Sequence, residues 1–171
     1  MENTLISRFK ACPTTLKVII NAISFQCIWW LGVLYQNQFI ALSIAFIGLH
    51  FLLTSHPKRD FQQMLLIGLM GICTDFCLIY FDLFQFSQTP WWLMVLWVFF
   101  ALTLNSSLKF AQQLPVTIQA VLGGVFGSLS YFSGFKLGAV SLPLGTMFST
   151  VALIVIWSVL FPVLLYIAKH K

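Results

Sequence analysis

The sequence predicts an all-α polytopic membrane protein, one bundle of six transmembrane helices with both termini on the cytoplasmic side. Three observations predict it. Of 171 residues, 60% are hydrophobic and only 8% are charged, with a mean hydropathy of +0.95. A soluble domain carries roughly 25% charged residues, so these charges are too few to build a solvated surface. The apolar residues fall into six stretches, each close to the ~20 residues that a crossing helix needs. Finally, the basic residues lie almost entirely at alternate ends of those stretches. The runs are continuously apolar and lack the alternation of a membrane barrel. Collagen, disulfide scaffolds and disordered chains are excluded by the same composition.

The first span covers residues 18–35 and follows a basic arm with Arg8, Lys10 and Lys17. A basic start and an apolar run resemble a signal peptide. The run is long, however, and no small-residue cleavage site follows Tyr35, so it reads as an uncleaved first helix. The second span, 37–54, is short and fits with local thinning of the bilayer. The third, 61–81, follows Lys58 and Arg59 in the second loop. The fourth, 91–109, ends at Lys109. The fifth is 117–135. The sixth, 146–168, contains Pro162, which frees the carbonyl of Ser158 and should kink the helix. Short linkers leave no room for a soluble unit, so residues 1–171 form a single integral membrane domain. The loop 136–145 carries almost no charge and reads as interfacial, partly re-entrant against protein.

The charges orient this bundle. Arg8, Lys10, Lys17, Lys58, Arg59, Lys109, Lys169 and Lys171 share one side, and only Lys136 falls on the other. Lys and Arg are retained in the cytoplasm, which gives an N-in, C-in orientation. Tyr35, Tyr80, Trp91 and Trp92 then form an outer aromatic belt. The formal charge of +5 is accounted for by topology and contact with anionic lipid. The lipid bilayer is the expected partner, and nucleic acid is not.

Polar residues inside the spans carry the functional information, because burial there is costly. An Asp at a helix centre costs ~2.5–3.5 kcal/mol on insertion scales. Asp75 is the only acid well inside a span. Gly68, Gly71 and Asp82 lie on its stripe of the third helix, and the glycines let another helix approach closely. Asp75 is therefore expected to face the bundle interior, with Lys136 its natural partner in the same membrane half. The bland alternative is that Lys136 snorkels outward and Asp75 is protonated or hydrogen-bonded. A second polar set, Asn21, His50 and Asn105 with Ser106 and Ser107, lies at similar depth in the inner half. It reads as a polar pocket or as interhelical hydrogen bonding.

Gly123, Gly127, Ser130, Gly134 and Gly138 recur on the fifth span at four, three, four and four. This small-residue stripe permits close packing within the bundle, against a membrane-protein partner or in a homodimer. Tyr131 sits beside it. Trp29, Trp97 and Trp157 lie too deep for the belt. Cys27, Cys73 and Cys77 lie inside spans and read as small hydrophobes. Only His50 lies within a span, so two-histidine haem ligation within one chain is not expected. No zinc spacing, P-loop or G-x-G-x-x-G is present. No cofactor or metal is expected, and Ser24 and Ser107 lack any nucleophile context.

Several elements together resemble a known family: Asn21-x4-Gln26-x2-Trp29; Asp75; Pro90-Trp91-Trp92-Leu93 running to Leu96-Trp97 and Leu104-Asn105-Ser106-Ser107-Leu108; and Gly124-x2-Gly127-x3-Tyr131-x2-Gly134-x2-Leu137-Gly138-Ala139-Val140. In order and over most of the chain they resemble the bacterial inner-membrane family called domain of unknown function 2878. The family pattern has Pro where Ser128 stands. The resemblance implies a multi-pass protein of the Gram-negative inner (plasma) membrane, and no assigned reaction. Family members resemble genes found near lipid-modifying enzymes, which implies a lean toward lipid chemistry. Three functions are compatible: an accessory or scaffold protein linked to membrane lipid metabolism; a small carrier or permease with Asp75 as binding or proton-coupling acid; and a membrane-embedded lipid-modifying enzyme using Asp75, His50 or Asn105. The lack of a catalytic constellation favours the first.

Overall fold

A computed structural model describes residues 13–170; Arg8, Lys10, Cys12 and Lys171 lie outside the described residues. Six helical legs follow one another. They are α1 (Thr14–Tyr35), α2 (Ile40–Leu53), α3 (Pro57–Tyr80), α4 (Trp91–Thr103), a composite fifth leg, and α7 (Thr146–His170). The fifth leg consists of α5 (Val116–Leu122), a π-helical turn (Gly123–Gly127) and α6 (Ser128–Lys136). Short 3-10 turns cover Gln36–Phe39 and Lys109–Gln113. Among the described residues the only β pairing is one antiparallel bridge, Gln85 to Ser141.

Consecutive legs reverse direction. Asn21 on α1 meets His50 on α2, so the chain folds back at Gln36, whose φ of 55° makes the reversal. Asn21 also meets Ser107, and Asn105 meets Ala168. These contacts gather the start of α1, the α2–α3 connection, the end of α4 and the end of α7 at one face, called here the near face. Asn37, Thr89, Gln85 and Ser141 meet at the far face.

Four stretches are long and apolar enough to cross a membrane: Thr14–Leu53, Pro57–Tyr80, Val116–Lys136 and Thr146–His170. The first contains the α1–α2 reversal. α2 has 14 residues and α4 has 13, or roughly 20 Å each at 1.5 Å per residue, short of the ~30 Å hydrocarbon core. Both are shorter than the expected spans 37–54 and 91–109. α4 stops at Thr103 because the polar run after it leaves the helix. The Thr103 hydroxyl donates to the Phe100 carbonyl at 2.6 Å. Asn105 and Ser107 bond to other legs instead of continuing the ladder, as short polar side chains do.

α3 begins earlier than expected. Pro57 occupies the first helical position, where its missing N–H costs nothing, so Lys58 and Arg59 belong to the first turn of the helix and not to a loop. α7 runs without interruption through Pro162, so no break accompanies that proline. The loop 137–145 is anchored by a Schellman closure. Ala139 N–H donates to the Gly134 carbonyl at 2.8 Å and Gly138 N–H to the Phe135 carbonyl at 3.1 Å, with Gly138 at φ +78°. Only glycine adopts that conformation cheaply. Gly138 thus ends a helix and does not extend the packing stripe.

Candidate functional site

The buried stripe of α3 comprises Asp60, Gln63, Ile67, Gly68, Gly71, Asp75 and Leu78. It organises two polar centres, one at the near face and one in mid-bundle.

At the near face, the Asn21 carbonyl oxygen accepts from the Ser107 hydroxyl at 2.6 Å and the Ser107 N–H at 3.3 Å. The amide nitrogen of Asn21 therefore faces His50 Nδ1 at 3.3 Å. Nδ1 accepts, so the neutral ring carries its proton on Nε2. That nitrogen lies 3.2 Å from Asp60 Oδ2. The same oxygen accepts from Thr54 at 2.5 Å, and Oδ1 accepts from Arg59 Nη2 at 2.9 Å. Beside this chain, Asn105 donates to the Gln63 side chain and to the Ala168 carbonyl, and its oxygen accepts from Gln112. Gln63 donates onward to the Ala101 carbonyl at 2.8 Å. The expected convergence of Asn21, His50 and Asn105 is real, and their polar atoms are spent on joining legs. Asp60, Gln63, Thr54 and Gln112 were not anticipated. Stepping back along α3 from Gly71 by four, four and three residues reaches Ile67, Gln63 and Asp60, a signal already present in the spacing.

In mid-bundle, Asp75 is buried. Its Oδ2 accepts from Trp97 Nε1 and its Oδ1 from the Tyr131 hydroxyl, both at 2.5 Å. Of the two alternatives for Asp75, a Lys136 pair or hydrogen bonding, the structure has the hydrogen bonds, and no direct ion pair with Lys136 forms. Lys136 Nζ stands over the rings of Phe132 and Phe135, 5.4 and 5.7 Å from their centroids. The indole reaches Asp75 because Gly71, one turn earlier on the same stripe, gives it room. A Cβ on Gly71 would lie 1.9 Å from the Trp97 ring. Asp82 lies past the end of α3, exposed, and accepts from Gln85 at 2.6 Å.

The fifth leg uses its glycines against α7. A Cβ on Gly123 would lie 2.4 Å from Phe161, and one on Gly127 would lie 2.3 Å from Trp157. These two glycines thus lie close against α7 within the chain. Gly124, outside the expected stripe, also sits against α7, at Ser158. Ser130 accepts from Trp29 Nε1 at 2.8 Å, while a Cβ on Gly134 would meet only Val140, at 3.5 Å.

Between α1 and the fifth leg lies a groove of about 520 Å3, within the range of small-molecule sites. Phe25 and Trp29 form one wall, Phe126 and Leu129 the other, and Trp97 and Trp157 the back. Gln26 lines it, exposed, with Ser130 and Tyr131 among its few polar groups. Asp75 does not. It borders a separate cleft of about 10 Å3 beside Pro90 and Met94, room for about one water.

Trp92 leaves the expected aromatic belt. It is buried under Gly32, with its Nε1 bonded to Gln36 at 2.9 Å. Tyr35, Tyr80 and Trp91 are exposed. Cys73 and Cys77 are exposed on α3 and Cys27 is half-buried, so the first two are not core hydrophobes. Among the described residues no group of three or more His, Cys, Asp or Glu side chains gathers to hold a metal.

Residues 18–163 match a family model described as "Protein of unknown function (DUF2878)". No curated protein and no solved structure matches the chain.

Proposed function

The chain belongs to the DUF2878 family of unknown function, and on that footing we propose that it is an integral inner-membrane protein with six crossings, both ends cytoplasmic, serving membrane lipid metabolism as a lipid-binding accessory. The observation that carries this reading is the groove between α1 and the fifth leg. It is of ligand size, walled by aromatic side chains and predominantly apolar, which suits a lipid chain better than a hydrated solute. The reversing legs support six crossings, with α2 and α4 as short ones that draw the bilayer in locally.

The use of the polar residues supports an accessory over a carrier. Asp75 has both oxygens occupied and adjoins a cleft with room for about one water, which is no solute path. His50 and Asn105 serve as ties between legs, which leaves an enzyme reading without free groups at either centre.

The test is comparative lipidomics of a deletion strain complemented with wild type, Gln26→Trp or Asp75→Asn. Gln26 is exposed on the groove wall, so an indole there fills the groove without entering the core. A discrete lipid change should be rescued by wild type and Asp75→Asn but not by Gln26→Trp. An unchanged lipid profile on deletion, or a change that Gln26→Trp rescues fully, overturns the reading.

A further inference from the structure

The two ends of the groove differ, and the difference bears on which lipid would fill it. At the far face the lining closes over. Trp92, Ala139 and Val140 are 5%, 5% and 8% exposed, and the Gln85–Ser141 bridge ties the two far loops together. A polar headgroup has no place among them. At the near face the lining opens. Phe110 is 59% exposed, and Lys109 stands between the lining residues Leu108 and Phe110. Lys109 is exposed and pairs with no acid among the described residues. The one described acid at this face, Asp60, is already satisfied by Arg59, His50 and Thr54. The groove mouth is thus an apolar slot with a cation at its lip and, among the described residues, no competing carboxylate.

We propose that the groove takes an acyl chain of an anionic glycerophospholipid from the near-face leaflet, with the lipid phosphate held at Lys109. The proposal rests on the lipid-binding reading above and adds headgroup charge, leaflet and contact residue. A chain entering from the near face buries its methylenes against Phe25, Leu122 and Phe126. Its headgroup stays at the surface, where Lys109 supplies the opposite charge.

Native mass spectrometry of the full chain in mild detergent provides the test, with phosphatidylglycerol and phosphatidylcholine of identical acyl chains as probes. Wild type should favour phosphatidylglycerol. Lys109→Gln should reduce that preference about fivefold, the share of one surface cation, chiefly by weakening phosphatidylglycerol binding, because the choline cation of phosphatidylcholine already offsets its phosphate. Lys109→Arg should retain the preference, and Lys136→Gln at the far face should not alter it. Equal binding of the two lipids by wild type, or a preference that survives Lys109→Gln, overturns the headgroup assignment while the groove reading stands. Retention of neither lipid by wild type, or equal retention of both by Gln26→Trp, overturns both.

Discussion

Trp97 and Trp157 stack with their rings 3° from parallel and their centroids 5.4 Å apart, and a glycine lies close against each. Gly71 of α3 lies against Trp97, and Gly127 of the fifth leg against Trp157. Four legs therefore meet at this pair of stacked indoles. The same two indoles line the groove, so the packing that holds the bundle also shapes that cavity.

Adding a methyl at either glycine should be felt by the whole bundle. A Cβ on Gly71 or Gly127 would meet a buried indole that is stacked on its partner, and overpacking of this kind costs about 1–3 kcal/mol. Gly71→Ala and Gly127→Ala should lower the melting temperature in detergent. Gly48→Ala should not, because a Cβ there meets nothing within 4 Å. Equal melting temperatures for all three would contradict this packing.

Asp75 acts here as a pin. Replacing it by Ala leaves the Trp97 and Tyr131 donors unpaired in a buried setting, at about 1–3 kcal/mol. Asn is a milder change. Its oxygen can accept from Trp97, and its amide can donate to a Tyr131 hydroxyl that has turned. Thermal denaturation should rank wild type and Asp75→Asn close together, with Asp75→Ala well below. Asp75→Asn as damaging as Asp75→Ala would mean that the carboxylate does more than accept two bonds.

The near-face network fixes a tautomer. Ser107 orients the Asn21 amide, the amide makes His50 Nδ1 an acceptor, and Asp60 receives the proton-bearing Nε2. Nitrogen-15 NMR of histidine-labelled protein should find neutral His50 as the Nε2–H form. Asn21→Leu removes the donor to Nδ1 and should let the other tautomer appear. A wild-type ring already in the Nδ1–H form would refute the network.

What the sequence made legible follows from how strongly each feature is punished by physics. A buried acid on a glycine stripe must face protein, and Asp75 does. Gly123 and Gly127 promised close packing, and α7 is where they find it. The partner of Asp75 was not legible. Charge pointed to Lys136, but Tyr131 and Trp97 are neutral donors on other legs, and no spacing rule links positions 22 and 56 residues away. The inner polar set was legible as a cluster because depth follows from position along each helix. Asp60 was not, because Pro57 reads as loop until it is seen opening a helix. Gly138 shows the limit of periodicity, since its four-residue spacing from Gly134 continues the stripe on paper while its positive φ ends the helix.

Topology is the remaining expectation that an experiment can decide directly. Lys17, Lys58, Arg59, Lys109 and Lys169 all lie on legs or turns that meet at the near face, while Lys136 ends the fifth leg at the far face. Retention of basic residues in the cytoplasm would then put the near face inside. In a background with Cys12, Cys27, Cys73 and Cys77 replaced by Ser, single cysteines at Lys136, Lys58 and Lys169 sort the faces. A membrane-impermeant maleimide applied to intact spheroplasts should label Lys136→Cys alone, and permeabilised membranes should expose all three. A reversed pattern would invert the orientation and move the Lys109 lip of the groove to the outer leaflet. Labelling of Lys58→Cys together with Lys136→Cys in intact spheroplasts, with Lys169→Cys protected, would mean that α3 does not cross. The six-leg bundle would then have fewer crossings than legs.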